Sequence, residues 1–251
     1  MSKKRIYLTF IMAYMDFKSA YSRSIFGFFW EPFTTILYVL GLSVLWSNLL
    51  PASLGEEIVR ISLTFIAWRF ISGVFIRASQ EFTVYGQYYI ANPPDEYQVP
   101  FFVILNYSLR LLINLPIFIL FYFIFAEYYF NPLYFLLFIM SIISLGLFCN
   151  LACYISAISE DISHLLITIL GMALLVTPVF WDTIHLGDKW FYVLINPFAV
   201  SILDIQFSFI KPDIAYNFNL MLLANTFWFL LAVISSYFSR YLKPFALLRL
   251  K

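Results

Sequence analysis

The chain has 251 residues, of which 63% are hydrophobic, 22% aromatic and only 12% charged, with a formal net charge of +1. A soluble domain usually carries about twice that charged fraction, so the composition argues against an ordinary soluble domain and for an integral membrane protein. It also argues against nucleic acid as a partner, because the basic residues form no long run in an otherwise apolar chain.

The N-terminal region, 1–31, reads as an amphipathic helix lying in the cytoplasmic interface. Tyr7, Phe10, Ile11, Tyr14, Phe17 and Tyr21 recur at helical spacing, and Arg5, Thr9, Asp16, Ser19 and Arg23 fall on the opposite face. Gly27 and Pro32 then turn the chain into the first span.

Crossing a bilayer takes about twenty helical residues, and six apolar runs approach that length: 33–50, 61–79, 101–126, 133–159, 162–181 and 214–239. Nine of the fifteen Lys and Arg residues lie near the two ends: Lys3, Lys4, Arg5, Lys18, Arg23, Arg240, Lys243, Arg249 and Lys251. Basic flanks mark the cytoplasmic side, which predicts two cytoplasmic termini and an even number of crossings.

Threading six spans puts 51–60, 127–132 and 182–213 outside, and 80–100 and the turn at Glu160 and Asp161 inside. Within the last outer connection, 190–209 is too apolar for water. Asn196, Pro197 and Asp204 interrupt it too often for a span, so it predicts a re-entrant helical pair covered by protein. In the loop 80–97 the aromatic content suggests a short docking helix, which Asn92 before Pro93 and Pro94 would end. Arg77 and Glu81, four apart, predict a local ion pair. Cys149 and Cys153 read as buried small residues rather than a metal or redox pair. The expectation is one membrane unit over 1–251, without repeats or a soluble domain.

No glycine-rich GxxxxGK[ST] loop is present, so ATP hydrolysis of that type needs a separate subunit. Glu31, Glu81, Glu127, Glu160 and Asp161 all fall at or beyond span ends, which disfavours ion coupling at mid-membrane. Asp182 and His185 are two titratable groups near a span end and do not make a catalytic site.

Phe17 and Lys18, then Tyr21, Arg23, Ser24, Gly27, Trp30 and Pro32, resemble the opening motif of ABC-2 type export permeases of the surface-polysaccharide group, those for O-antigen and capsule. Trp68 with Phe70 and Ser72, Ala91 through Pro100, Ser156 to His164, Thr177 to Val179 and Asn196 to Phe198 follow in the same order as in that family. The resemblance covers nearly the whole chain. Two positions depart from it: Glu160 beside Asp161 replaces the usual Arg-Asp pair, and Arg69 stands where the family has an apolar residue.

The resemblance implies a homodimer of six-span subunits in the bacterial inner membrane, each engaging an ABC ATPase subunit that carries ATP and Mg. The cargo would be a lipid-linked polysaccharide. No catalytic, cofactor or metal residue is expected in this chain. Glu81, Tyr85, Tyr88, Tyr89, Glu160 and Asp161 are candidates for coupling to the ATPase. Lys18 and Arg23 either attract the phosphates of the lipid carrier or serve as ordinary cytoplasmic anchors. Arg69, Arg110, Tyr38, Trp68, Phe70, Tyr107, Phe180 and Trp181 are candidates for the translocation path, with helix packing or an interfacial belt as the alternative for each aromatic. Rival readings keep the architecture and change the cargo to teichoic acid, a lipo-oligosaccharide, a lipid or a drug. Others make the chain a membrane-embedded glycosyl- or acyltransferase, or a structural or sensing subunit.

Overall fold

The computed structural model of the protein describes residues 3–49, 53–211 and 217–249, and of residues 184, 185 and 188 only the backbone. The expected end of the first span at 50, the start of the last at 214, Lys251 and the His185 side chain lie outside the described residues.

Among the described residues every regular element is helical. The order is α1 (Lys3–Tyr21), a 3-10 turn (Gly27–Phe29), α2 (Trp30–Leu49), α3 (Leu54–Ala91), α4 (Gln98–Phe125), α5 (Pro132–Ile158), α6 (Glu160–Val176), a 3-10 stretch (Thr183–Ile195), α7 (Pro197–Phe209) and α8 (Phe218–Arg249). Five of these, α2, α3, α4, α5 and α8, are long and apolar enough to cross a membrane.

The polarity of the helix faces explains why the bundle suits a bilayer. In α2 the buried residues are Glu31, Thr35, Val39 and Ser43, one every fourth position and three of them polar, while Leu37, Tyr38, Leu40, Val44 and Leu45 point outward. In lipid there is no gain from hiding leucines, and small or polar residues bring helices together through close packing and hydrogen bonds. The contact of α5 with α8, the most extensive in the fold, follows the same rule. Small residues of α8, Ala232, Ser235, Ser236 and Ser239, are buried, and Asn150 Nδ2 of α5 donates to Ser239 Oγ at 2.6 Å. Cys149 and Cys153 are buried free thiols on α5, as expected.

The long helices differ from the expected spans mainly at their ends. The α3 helix starts at Leu54 rather than 61, because Ser53 and Glu56 form a capping box and Glu57 pairs with Arg60 inside the fold. It continues to Ala91 across a kink at Tyr85, whose backbone is not helical, so the part beyond the kink is a short helical segment joined directly to α3, and Asn92 ends it before Pro93 as expected. At the other end of the chain, α8 runs through Pro244 to Arg249 rather than stopping at 239.

Helix α6 has 17 residues and ends at Val176, short of the expected 181. It runs antiparallel to α3. Ser163 meets Ser79 at 3.0 Å near one end, and beyond the other end Val179 O and Phe180 O accept from Thr64 Oγ1 (2.7 Å) and Arg60 Nη2 (2.8 Å). From Arg60 to Ser79 is about 28 Å along α3 at 1.5 Å per residue.

A bend of 119° at Asn196 separates 189–195 from α7. Asn196 caps α7 and reaches Thr177 Oγ1 at 2.9 Å, and Phe198 packs edge-on against Trp68 and Phe75. At its far end Ser208 O accepts from Asn131 N, at the start of α5.

The two chain ends meet one loop. Arg5 of α1 pairs with Asp95, Arg240 of α8 with Glu96, and Lys243 Nζ donates to Pro94 O at 2.6 Å. The start of α1 and the C-terminal part of α8 therefore lie at the same end of the bundle.

Candidate functional site

A cleft of about 220 Å³ opens between α2, α3 and α4 near the docked α1. Its polar wall starts from Glu31, in the first turn of α2. Arg69 Nη2 of α3 lies 2.7 Å from one Glu31 oxygen, and Arg110 Nη1 of α4 lies 2.7 Å from the other. The Tyr21 hydroxyl donates to the oxygen that Arg110 holds and accepts from Arg110 Nη1 at 2.7 Å. Burial, and then this bond to Glu31, push the Tyr21 phenol well above the ordinary tyrosine range. A second layer fixes the arginines: Arg69 Nη1 donates to Thr35 Oγ1, which donates to Asn114 Oδ1 at 2.7 Å, and Asn114 Nδ2 donates to Arg110 O at 2.8 Å.

The aromatic wall depends on a glycine. A Cβ at Gly73 would sit 2.0 Å from the Tyr107 ring, so only glycine lets Tyr107 cross α3 at this point. Phe70 completes the lining, and the Arg110 guanidinium lies 5.1 Å from the Tyr107 ring centre, within cation–π range.

Two guanidiniums and one carboxylate leave one net positive charge among apolar helices, where charge is expensive. Glu31 is sealed at 9% exposure, whereas Arg69 and Arg110 retain 33% and 23%. The open guanidinium faces are suited to an anion, and Phe70 and Tyr107 to a flat or apolar group beside it. Among the described residues no cluster of three His, Cys, Asp or Glu could hold a metal ion.

A second polar network docks α1. Asp16 accepts from Tyr85 Oη at 2.6 Å and Asn106 Nδ2 at 2.9 Å, and lies 3.4 Å from Arg77 Nη2. Arg77 Nε is 3.2 Å from Glu81 Oε2, so the expected ion pair forms, yet the two atoms are misaligned for a hydrogen bond and neither has another partner. Thr9, Ala13 and Asp16 thus face the bundle, while Tyr7, Phe10 and Tyr14 point away from it.

The cleft gathers four of the eight path candidates, Arg69, Phe70, Tyr107 and Arg110. The others lie apart. Trp68 is buried against Phe198, Tyr38 and Phe180 flank Phe65, and Trp181 Nε1 is bonded to Leu175 O. Of the coupling candidates, Tyr88, Glu160 and Asp161 are exposed. Glu81 and Tyr89 are not: they are buried and joined by a 2.8 Å hydrogen bond, and Tyr85 is half-buried on Asp16. Apolar burial of that helix face turns these side chains inward, while Tyr88 shares the exposed face with Thr83, Val84 and Gln87. Lys18 and Arg23 are exposed and stand outside the cleft network.

Sequence reading missed Glu31, Thr35 and Asn114, and it placed Arg60 in a loop. Signals were present for all but Asn114: Glu31, Thr35 and Ser43 fall on one face of α2, and Glu57 stands three residues before Arg60. Inside the fold Arg60 is 5% exposed, with Nε and Nη1 unpartnered.

No family model matches the chain, and no curated protein matches it.

Proposed function

We propose that the chain is the membrane permease subunit of an ATP-driven exporter whose cargo is a lipid-linked surface polysaccharide. The observation that carries the reading is the cleft. Residues from α3 and α4 that stand apart in sequence, Arg69, Phe70, Tyr107 and Arg110, line one cationic and aromatic opening at the α1 end of the bundle. A phosphate-bearing lipid presents an anion, for which guanidinium is the preferred partner, and sugar rings present C–H faces that stack on aromatic rings.

The architecture supports the same reading. The pairing of Arg5 with Asp95 and of Arg240 with Glu96 supports an even number of crossings between α1 and the C-terminal part of α8. Five long helices are joined in this reading by α6, which together with the turn after it follows α3 for nearly the roughly 30 Å thickness of the hydrocarbon core, as the sixth span. The bent pair is then re-entrant, because α7 ends beside the start of α5 and the preceding stretch begins beside Arg60. In this orientation the shared end is cytoplasmic, and Tyr88, Glu160 and Asp161 face an ATPase subunit that supplies the nucleotide site the sequence lacks.

The test is purification of the tagged full-length chain from its native membrane, combined with gene deletion. An ABC ATPase should co-purify, and deletion should abolish the surface polymer, restored by the wild type but not by Arg69→Gln with Arg110→Gln at matched abundance. An unchanged surface polymer together with no co-purifying ATPase refutes the proposal.

A further inference from the structure

The cluster formed by Asp204, Ser141 and Asn225 is separate from the cleft and joins three helices. Asp204 of α7 is fully buried, and Ser141 of α5 and Asn225 of α8 are 4% and 1% exposed. Ser141 Oγ lies 2.5 Å from Asp204 Oδ2 and 2.7 Å from Asn225 Oδ1. Asn225 Nδ2 is 3.1 Å from Met221 O and 3.1 Å from Asp204 Oδ2.

Counting hydrogens decides the protonation state. Two short oxygen–oxygen contacts at Ser141 need two hydrogens, and a serine hydroxyl supplies one. Both hydrogens on Asn225 Nδ2 are already committed, one to Met221 O and one to Asp204. Turning the Asn225 amide round would set its oxygen against Met221 O and the Asp204 carboxylate, which is worse. The missing hydrogen belongs on Asp204, whose O–H donates to Ser141 Oγ while the Ser141 O–H donates to Asn225 Oδ1.

The surroundings agree with a neutral acid. Among the described residues no ion pair includes Asp204. From α5 the titratable side chain Tyr134 packs against α7 through Phe207. From α8 Met221 packs beside Asn225, from the 3-10 stretch Trp190, Val193 and Leu194 pack on the same cluster, and α3 meets α7 through Trp68 and Phe75 on Phe198. An isolated carboxylate in such a setting costs several kcal/mol and takes up a proton instead.

We propose that Asp204 is a proton-binding site that latches α7 to α5 and α8 when neutral and releases α7 when it loses the proton. The proton leaves to solvent as the carboxylate forms, and Ser141 Oγ then has a single hydrogen for two acceptors, one of them charged. This holds whatever the cargo of the protein.

The test is infrared difference spectroscopy of the full-length protein in detergent at neutral pH, wild type minus Asp204→Asn. The asparagine amide can donate to Ser141 Oγ as the acid does. A protonated-carboxyl C=O band present in the wild type and absent from the variant is expected. Because the folded protein binds one proton more than the unfolded chain, wild-type folding should weaken by up to about tenfold per unit of rising pH across the titration, while Asp204→Asn shows no such slope. A difference spectrum containing only carboxylate bands overturns the proposal. So does stabilisation of the wild type, but not of Asp204→Asn, by sodium at fixed pH, which would make the site a cation site. Should Asp204→Asn fail to fold, Ser141→Ala serves: loss of the acceptor should move the C=O band to higher frequency, and an unmoved band overturns the proposal.

Discussion

Arg69 and Arg110, on different helices, share the one carboxylate of Glu31, each holding a different oxygen at 2.7 Å. The carboxylate is what allows two guanidiniums to stand together between apolar helices. Glu31→Gln keeps the shape and removes the charge, leaving two like charges with no counter-ion. Breaking a buried pair costs about 3–5 kcal/mol, and the partial exposure of both arginines lowers the expectation to roughly 1–3 kcal/mol. The measurement is the thermal midpoint in detergent, and Arg69→Leu added to Glu31→Gln should recover part of the loss. An unchanged midpoint in Glu31→Gln would show that the arginines do not depend on Glu31.

Asp16 is the anchor of α1. Asp16→Ala leaves the Tyr85 hydroxyl without its acceptor, Asn106 Nδ2 with Ala13 O alone and Arg77 with Glu81 alone. An orphaned buried donor costs about 1–3 kcal/mol, so α1 should detach at least about fivefold more often, tenfold corresponding to about 1.4 kcal/mol. Trypsin cleavage after Lys18 should accelerate accordingly while the rest of the bundle stays resistant. Equal cleavage of variant and wild type would mean that α1 is held by its apolar contacts.

The same helix shows what the sequence could and could not convey. Its amphipathic pattern is legible, and α1 forms where it predicts. The inward direction of Thr9 and Asp16 is not legible, because it depends on Arg77, Tyr85 and Asn106, which are 61 to 90 positions away. Composition and run length gave the all-helical class and the positions of the long helices. They misplaced the ends of α3, where paired charges at Glu57 and Arg60, and at Arg77 and Glu81, let a helix continue past residues that look like span limits. Arg69 and Arg110 were readable because charge inside an apolar run stands out. Glu31 was not, since an acid at a span end has an ordinary explanation in the helix dipole.

Gly73 sets the distance between α3 and α4. With a Cβ 2.0 Å from the Tyr107 ring, Gly73→Ala must push the ring out of the cleft or part the helices. Overpacking of this kind costs about 1–3 kcal/mol. The thermal midpoint should fall, and Tyr107→Leu in the same chain should restore most of it by removing the ring edge that clashes. If the double variant is no better than the single one, the clash lies elsewhere.

Tyr21 links the docked helix to the cleft and gives it a pH dependence. Its phenol must stay protonated to donate to Glu31, and burial with that hydrogen bond raises its folded-state value well above the ordinary tyrosine range. A group whose value is raised on folding contributes stability that is complete below the unfolded value, about pH 10 for tyrosine, and is lost as pH climbs through the folded value. Wild-type protein should therefore lose stability more steeply above about pH 10 than Tyr21→Phe, which has no proton there to lose. At neutral pH the order reverses, with Tyr21→Phe less stable by about 1 kcal/mol for the missing hydrogen bond. Crossing of the two midpoint curves in alkaline solution is the expected signature. Parallel curves would show that the Tyr21 hydroxyl does not carry the contact between α1 and Glu31.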